Sequence, residues 1–253
     1  MMPGASVDME AALTRLRLPT IRRRYIDILD EAEKESWTYR EMLERLVGEE
    51  LANRAETRMQ RAIRKARFPF VKTIEEFDFE FQGSIKKAML GRFLGPELVS
   101  EGRNLVLLGE PGRGKTHLAV AMAYKAIQNG FDARCVTAAE LLADLASGGS
   151  AKAIEARMVH YTRPAVLVID ELGYLSYAQD AANSLFQVID RRYLAKKPVL
   201  ITSNKDPITW GGVLHDPDLA AAIVDRLLER GEVIKLSGKS YRARFQLDPE
   251  TLG

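Results

Sequence analysis

An apolar strand pattern that runs directly into a glycine-rich loop and a helix constrains the fold of this chain most strongly. Residues 104–108 read Asn-Leu-Val-Leu-Leu, residues 109–116 read Gly-Glu-Pro-Gly-Arg-Gly-Lys-Thr, and a helical pattern follows. This is the strand, G-x-x-x-x-G-K-T loop and helix of a phosphate-binding loop, or P-loop. The backbone N–H groups of such a loop surround phosphate oxygens, and the helix N-terminus adds its positive end. The sequence therefore predicts a site for a nucleoside triphosphate.

The P-loop contains two side chains with separate predicted roles. We expect Lys115 to contact the β- and γ-phosphates and Thr116 to offer a hydroxyl ligand to Mg²⁺. His117 follows the loop and is interpreted as a packing residue of the helix rather than a catalytic group. The residues expected to bind the nucleotide and its Mg²⁺ comprise the loop, this histidine and one aspartate of a later strand: Gly109, Glu110, Pro111, Gly112, Arg113, Gly114, Lys115, Thr116, His117 and Asp170.

A second apolar strand pattern ends in two adjacent carboxylates, Asp170 and Glu171. Successive strand residues point to opposite faces, so the two side chains are expected to diverge. Asp170 suits a Mg²⁺ ligand, and Glu171 suits a group that orients or deprotonates the attacking water. The pair favours hydrolysis over transfer to an acceptor. Glu171 as a cap of the following helix remains an alternative.

The next strand pattern, residues 198–203, is followed by Asn204. One strand after the carboxylate pair, an amide at this position is expected near the γ-phosphate and the attacking water. A Ser-Asn pair after a strand is equally typical of a turn, so this reading has an open alternative.

Short apolar segments alternate with helical segments from residue 104 onward. Strands are predicted at residues 104–109, 133–138, 165–170, 198–204 and 232–237. Helices are predicted between them at residues 115–128, 139–145, 151–161, 180–195 and 218–229. This alternation predicts an α/β fold whose five-stranded parallel sheet is flanked by helices on both faces.

The segment before this core has a different pattern. Residues 7–67 lack strand patterns, and their apolar residues recur at helical spacing. We therefore predict a small all-helical domain at residues 1–67, with roles in DNA binding and assembly. Residues 68–103 are interpreted as a linker and entry to the core, and residues 104–253 as the ATPase core.

The charge distribution is more informative than the net charge of +2. Between Arg54 and Lys72 basic residues greatly outnumber the single acid, Glu56. The spacing of four of them places their side chains on one helix face, which suits the phosphate backbone of double-stranded DNA. A solvated helix face is the alternative. The candidate DNA-binding residues are Arg54, Arg58, Arg61, Arg64, Lys65 and Arg67.

Composition excludes several classes of protein. Hydrophobic residues make up 46% of the chain, yet no apolar run reaches the ~18 residues that a membrane helix needs. The first ten residues lack a signal-peptide pattern. The single cysteine, Cys135, excludes a disulfide framework within one chain. We therefore expect a cytoplasmic protein without a membrane partner.

The order of these motifs resembles that of the AAA+ ATPases. Within that class, residues 109–119, 169–174 and 201–204 are similar to the IstB group. These are helper ATPases of insertion-sequence transposition and close relatives of the DnaC-type helicase loaders. The resemblance extends to residues 72–79, before the core, and covers essentially the whole chain.

The resemblance implies roles for two arginines. Arg226 matches the arginine finger, which completes the site of a neighbouring subunit in trans. Arg242 matches the second sensor arginine, which acts within its own subunit. Arg230, one turn after Arg226, is the competing candidate for the finger. Too few residues follow Arg226 for the full C-terminal helical lid of many AAA+ proteins, so no such lid is expected.

Together these features predict an AAA+ ATPase that forms a homo-oligomer on double-stranded DNA and presents target DNA to a transposase, associated with the nucleoid. The main alternative is a replicative helicase loader, which shares the same nucleotide chemistry. A small-molecule kinase with a P-loop is a second alternative, which the Asp170-Glu171 pair disfavours. A third is a scaffold whose nucleotide-gated assembly matters more than its turnover.

Overall fold

The computed structural model describes residues 8–174, 177 and 180–241. It divides into two compact units, Met1–Arg61 and Ala62–Gly253. Three helices account for the described part of the first unit: α1 (Met9–Arg15), α2 (Pro19–Lys34) and α3 (Tyr39–Ala66), the last of which continues past the division. The predicted helical character of the N-terminal region is confirmed, whereas the predicted function and boundary of a separate domain at residue 67 stay predictions.

A buried carboxylate joins two helices of the first unit. Glu50, on α3, is only 3% exposed. Its Oε2 accepts hydrogen bonds from the backbone N–H groups of Thr20 (2.9 Å) and Ile21 (3.2 Å) in the first turn of α2. Those N–H groups have no partner within their own helix. Glu50 therefore caps α2 from a neighbouring helix.

The second unit begins with short helical segments and continues into the sheet. The segments are α4 (Phe79–Gln82), a 3₁₀ helix (Lys87–Leu90), α5 (Gly91–Leu94) and α6 (Glu97–Ser100). The strands are β1 (Asn104–Leu108), β2 (Ala133–Thr137), β3 (Val166–Leu172), β4 (Val199–Ser203) and β5 (Gly231–Lys235). Their spatial order is β2-β3-β4-β1-β5, with every pair parallel. The prediction of a five-stranded parallel sheet is confirmed.

Helices connect the strands and cover the sheet. They are α7 (Lys115–Gln128), α8 (Ala138–Ala146), α9 (Ala151–Thr162), α10 (Ala181–Leu194), a 3₁₀ helix (Pro207–Thr209), α11 (Trp210–Leu214) and α12 (Pro217–Glu229). The five predicted core helices are all found, and α11 is additional. Across the described part of the chain, every helix is too short or too polar to cross a membrane.

The core forms on both faces of the sheet because the central strands β1, β3 and β4 are largely apolar and buried. Alternate residues of the central strands, such as Val106 and Ile201, share one buried cluster with side chains of α8, α10 and α12. Helix α7 contacts β1, β2, β3 and β4. Every residue of β1 is buried. This packing holds the carboxyl end of β1, where the P-loop begins, in a fixed position.

Candidate functional site

Residues 109–114 of the P-loop connect β1 to α7 and require glycine at several positions. Gly109, Gly112 and Gly114 have φ angles of +157°, +78° and +89°. A Cβ atom on Gly109 would lie 2.5 Å from the carbonyl oxygen of Leu236, and one on Gly114 would lie 2.6 Å from Cε2 of Phe77. Neither the backbone angle at Gly114 nor this spacing leaves room for a side chain. The loop is therefore enclosed by neighbouring segments of the same unit.

The P-loop lysine is buried beside the loop that it belongs to. Lys115 is 5% exposed, and its Nζ donates hydrogen bonds to the carbonyl oxygen of Glu110 (2.9 Å) and to the hydroxyl of Tyr174 (3.1 Å). Tyr174 was not predicted as a site residue, although it closes the segment 169–174 that contributes to the family resemblance. The ammonium group is thus held against the backbone of the P-loop.

Two hydroxyls converge on the carboxylate of Asp170, which is 6% exposed. Thr116 Oγ1 donates to Asp170 Oδ1 at 3.0 Å, and Thr202 Oγ1 donates to the same oxygen in a shorter contact. The first residue of α7 after the lysine is thereby joined to the end of β3. The structure brings together the two side chains predicted to hold Mg²⁺.

The end of β3 departs from regular strand geometry. Glu171 has a φ angle of +61°, in the left-handed region that residues with side chains rarely adopt. The expected divergence of Asp170 and Glu171 assumed regular alternation, which is interrupted here by a register shift against β4. Asp170 is buried and Glu171 exposed, and both line the same cavity.

This cavity has a volume of about 770 Å³ and lies entirely within the second unit. One part of its lining is polar and consists of the P-loop from Pro111 to Gly114, Lys115, Thr116, Asp170 and Glu171. Another part is apolar and includes Pro69, Phe70, Phe77, Phe81 and Tyr241. A cavity with apolar walls next to a few convergent polar groups is typical of small-molecule sites. The apolar part of the lining suits a nucleobase, and the polar part suits a chain of phosphates.

His117 supports the apolar part of the cavity. Its Nε2 lies 2.8 Å from the carbonyl oxygen of Thr73, and its ring meets the ring of Phe77 edge to face, with 5.2 Å between centroids. These contacts agree with a packing role that positions Phe77 against Gly114.

Basic side chains also line the cavity. Arg67, Lys72 and Lys239 are among its lining residues. Arg67 was predicted to bind DNA, and its position at the cavity also allows an interaction with a bound nucleotide. Its DNA-binding role stays a prediction.

Asn204 follows β4 but is not part of the described lining of this cavity. Its Oδ1 atom is buried and has no hydrogen-bond partner among the described residues. A buried, unpaired amide oxygen is costly unless a ligand or water satisfies it. The predicted contact with the attacking water stays a prediction.

Arg226 lies on α12, away from the P-loop of its own chain. Its Nε donates to Asp190 Oδ1 at 2.7 Å, and its guanidinium lies 4.6 Å from the ring centroid of Phe186. Asn104, the first residue of β1, donates to the carbonyl oxygens of Arg226 and Leu227. The P-loop follows the last residue of β1, about 13 Å further along the strand. Among the described residues that line the cavity, Arg226 is absent.

Arg230 and Arg242 are the other two candidate arginines. Arg230 donates from Nη2 to the carbonyl oxygen of Tyr193 at 2.5 Å. Its guanidinium lies 4.6 Å from the centroid of the Tyr193 ring. It is therefore held by its own chain, as Arg226 is. Arg242 lies outside the described residues, so its predicted sensor role and the expectation about a lid stay predictions.

The candidate DNA-binding residues of α3 are not equivalent. In the first unit, Arg54 donates from Nε to the buried Glu50 at 2.7 Å and from Nη2 to the carbonyl oxygen of Arg17. Arg58 and Arg61 are exposed. In the second unit, Arg64 and Lys65 are exposed in the last turn of α3.

The oxygen donors at the cavity fit a Mg²⁺ ion that arrives with a nucleotide. Mg²⁺ prefers oxygen ligands and is commonly bound by one or two carboxylates together with substrate phosphates and waters. Asp170 and Thr116 supply one carboxylate and one hydroxyl whose oxygens lie 3.0 Å apart. Both residues line the cavity beside Lys115.

Residues 11–248 match the family described as "IstB-like ATP binding protein". A protein named for ATP binding in insertion sequence IS21 of Pseudomonas aeruginosa is 34% identical over 237 residues, which is 94% of this chain and 89% of that protein. Its counterpart in IS5376 of Geobacillus stearothermophilus is 36% identical over 230 residues, 91% of each chain.

Among solved structures, DnaI matches with a TM-score of 0.54 and 22% identity, over 70% of this chain and 92% of that chain. AMPPCP-bound DnaA from Aquifex aeolicus matches with a TM-score of 0.53 and 20% identity, over 71% of this chain and 54% of that one. These likenesses show the AAA+ P-loop fold. Since the family match extends over nearly the whole sequence, the chain belongs to the IstB-like family of ATP-binding proteins.

Proposed function

We propose that this protein is an AAA+ ATPase that binds ATP with Mg²⁺, hydrolyses it, and assembles as a homo-oligomer on double-stranded DNA to assist a transposase. The observation that carries the proposal is the convergence of Lys115, Thr116, Asp170 and Glu171 on one cavity. The role in transposition is supported by the relatives, which are named as insertion-sequence proteins.

ATP binding depends on the P-loop and the apolar walls. Backbone N–H groups of the loop and the N-terminus of α7 face the phosphates. The ammonium of Lys115 already lies within the loop and adds a point charge there. Aromatic residues such as Phe77 and Phe81 line the region available to the base.

Hydrolysis depends on the exposed carboxylate of Glu171 at the cavity. In this proposal it orients a water molecule and accepts its proton as the water oxygen bonds to the γ-phosphorus, while the bond to the bridging oxygen breaks. A Mg²⁺ held by Thr116 and Asp170 would neutralise charge on the phosphates. Asn204, which follows β4 and has a buried amide oxygen without a partner among the described residues, would accept a hydrogen bond from the same water.

In this proposal the oligomer brings Arg226 of one subunit to the nucleotide site of its neighbour. Arg226 is bound to Asp190 of its own chain and lies near the amino end of β1 rather than at the P-loop. A role in the transition state therefore requires the site of a neighbouring subunit. Such an arginine stabilises charge on the transferred phosphoryl group.

DNA binding is assigned to the exposed basic side chains of α3. Arg58 and Arg61 of the first unit are exposed, whereas Arg54 is bonded to the buried Glu50. Contacts of this kind recognise the phosphate backbone and depend strongly on salt. They would hold target DNA for selection or remodelling by the transposase.

The helicase-loader alternative shares the nucleotide site. The structural likeness to DnaI concerns the fold alone at 22% identity. Binding assays with purified transposase and with replicative helicase separate the two functions, and we expect retention of the transposase.

The proposal is tested by measuring phosphate release from ATP at low salt, with and without duplex DNA. We expect Mg²⁺-dependent turnover whose rate changes when duplex DNA is added. The control is Lys115→Ala, which removes the ammonium within the P-loop and should abolish turnover. A wild-type protein with no turnover and no binding to duplex DNA at low salt would contradict the proposal.

A further inference from the structure

Two residues of β3 oppose a single residue of β4 at the end of the sheet. The parallel register pairs Ile169 with Ile201 and then Leu172 with Ser203. Asp170 and Glu171 therefore both lie opposite Thr202, which is the arrangement of a β-bulge. Bulges next to active sites change the direction of a side chain.

The Thr202 side chain bonds to both residues of the bulge. Its hydroxyl donates a hydrogen bond to Asp170 Oδ1 and accepts one from the backbone N–H of Glu171 at 2.9 Å. A hydroxyl has one proton to donate and lone pairs to accept, so this single group satisfies both partners. Thr202 is completely buried, with 0% of its surface exposed.

The bulge leaves Glu171 in a backbone conformation that needs support. Its φ angle of +61° is rare for a residue with a side chain. The N–H of Glu171 is bonded to the Thr202 side chain in place of a regular backbone partner on β4. Strained residues of this kind persist only where the surrounding structure holds them.

We propose that Thr202 is a positioning residue for ATP hydrolysis, because its hydroxyl fixes the bulge that directs both Asp170 and Glu171 into the cavity. This inference rests on the proposed ATPase function. Thr202 is distinct from Thr116, which bonds to the same carboxylate oxygen but itself lines the cavity. Thr202 belongs to the buried β4 strand and acts on the reaction only through its two neighbours.

The hydroxyl and the shape of the side chain can be separated by substitution. Thr202→Val keeps a branched side chain of similar size but leaves the Glu171 N–H without its acceptor and Asp170 without one donor. Thr202→Ser keeps the hydroxyl and loses only the methyl group. Thr202→Ala, compared with Thr202→Ser, gives a second pair that differs only by the hydroxyl.

The first measurement compares the kcat for ATP with the equilibrium affinity for ATP in each variant. Removing groups that orient metal ligands typically costs 10- to 100-fold. We expect kcat to fall by about 10- to 100-fold in Thr202→Val and Thr202→Ala, with a much smaller change in the dissociation constant for ATP. Thr202→Ser should retain most of the wild-type kcat.

The second measurement does not depend on turnover. Hydrogen exchange at the Glu171 amide, followed by NMR without nucleotide, should be slow in the wild type and in Thr202→Ser and faster in Thr202→Val. If Thr202→Val does not fold, the Ser and Ala variants provide the same comparison. Thermal unfolding of each variant identifies a general loss of structure.

The outcomes separate this inference from the proposed function. If the wild type hydrolyses ATP and the variants without the hydroxyl match its kcat and its Glu171 exchange rate, the role of Thr202 is overturned. An equal loss of kcat in the Ser and Ala variants would overturn it as well. Absence of turnover in the wild type would instead overturn the proposed function, while the exchange rates would still decide whether Thr202 holds the bulge.

Discussion

The guanidinium of Arg226 is paired with the carboxylate of Asp190 in the same chain, with 2.7 Å between Nε and Oδ1. Both side chains are partly buried, at 27% and 29% exposure. Phe186 packs against the guanidinium and further limits its orientations. The backbone carbonyl of Arg226 lies near the amino end of β1, whereas the P-loop follows the carboxyl end, and Arg226 is absent from the described lining of its own chain's cavity.

Mixed oligomers test whether Arg226 acts in trans. Arg226→Ala should bind ATP but lower kcat by about 10³-fold or more, the range for removal of an arginine finger. Lys115→Ala should also be inactive, yet it retains Arg226. Mixing the two variants should restore phosphate release, because Lys115→Ala subunits complete the sites of Arg226→Ala subunits. Mixtures no more active than the sum of the two variants would exclude action in trans.

Arg230→Ala is the matched control for the finger. Arg230 is also held by its own chain, through the carbonyl oxygen and ring of Tyr193. We expect Arg230→Ala to retain most of the wild-type kcat. A greater loss of kcat in Arg230→Ala than in Arg226→Ala would transfer the finger role to Arg230.

A glycine substitution tests whether the P-loop backbone is as confined as it is in the structure. Gly114→Ala and Gly130→Ala both introduce a side chain at a φ angle near +90°, a strain of about 1–2 kcal/mol in each case. Only at Gly114 does the new Cβ meet another atom, Cε2 of Phe77 at 2.6 Å. Both variants should have a lowered melting temperature, whereas only Gly114→Ala should lose ATP affinity, as measured by titration calorimetry. Equal ATP affinities of Gly114→Ala and Gly130→Ala would contradict the assignment of the P-loop as the ATP site.

The basic residues of the first unit are expected to have different roles. Replacing both Arg58 and Arg61 by Gln should weaken binding to duplex DNA and reduce the dependence of log K on log salt by about 0.9 for each lost phosphate contact. The melting temperature should change little, because both side chains are exposed. Fluorescence anisotropy across a salt series measures the slope, and an unchanged slope would contradict the assignment.

Arg54→Gln is compared with the Arg58 and Arg61 variants to test which basic residue of α3 stabilises the fold. Arg54 donates to the buried carboxylate of Glu50, so its removal leaves that charge with fewer hydrogen bonds and should destabilise the protein by about 1–3 kcal/mol. The free energy of unfolding, measured in urea, should fall for Arg54→Gln but not for the Arg58 and Arg61 variants. A larger loss of unfolding free energy in the Arg58 and Arg61 variants than in Arg54→Gln would show that Arg54 does not stabilise the Glu50 carboxylate.

The carboxylate of Glu50 is expected to make the stability of the protein depend on pH. Burial alone would raise the pKa of Glu50, but hydrogen bonds from Arg54 and from the N–H groups of Ile21 and Thr20 lower it overall. A lowered pKa in the folded state means that the stabilisation is present above the pKa of the unfolded chain, about 4.3. It is lost as pH falls through the lower pKa of the folded state. Unfolding free energies should therefore decrease below about pH 4.3 more steeply in the wild type than in Glu50→Gln, and equal slopes would contradict this contribution.

The fold was predictable from the sequence because parallel strands that are buried on both faces read as near-continuous apolar runs. Leu105 and Leu107 illustrate this, since both are fully buried on the same strand as Val106. The P-loop was recognisable because its glycines, its lysine and its threonine occur at fixed spacing. Helix α7 begins at Lys115, as predicted.

Contacts between distant segments could not be predicted in this way. The bulge opposite Thr202 depends on the register of two strands about thirty residues apart in sequence, and strand register has no local signal. The pairing of Arg54 with Glu50 is local, at four residues along one helix, but the burial of Glu50 comes from its contact with α2. Tyr174 meets Lys115 only because β3 and the P-loop end at the same edge of the sheet.

The most direct test of the central claim is the particle size of Glu171→Gln on duplex DNA in the presence of ATP. This substitution keeps the side-chain size but removes the carboxylate expected to accept the proton of water. In analytical ultracentrifugation we expect ATP-dependent oligomers on DNA that persist in Glu171→Gln and dissociate in the wild type as ATP is consumed. Wild-type turnover in Glu171→Gln, or a protein that stays monomeric with both ATP and duplex DNA, would contradict the account.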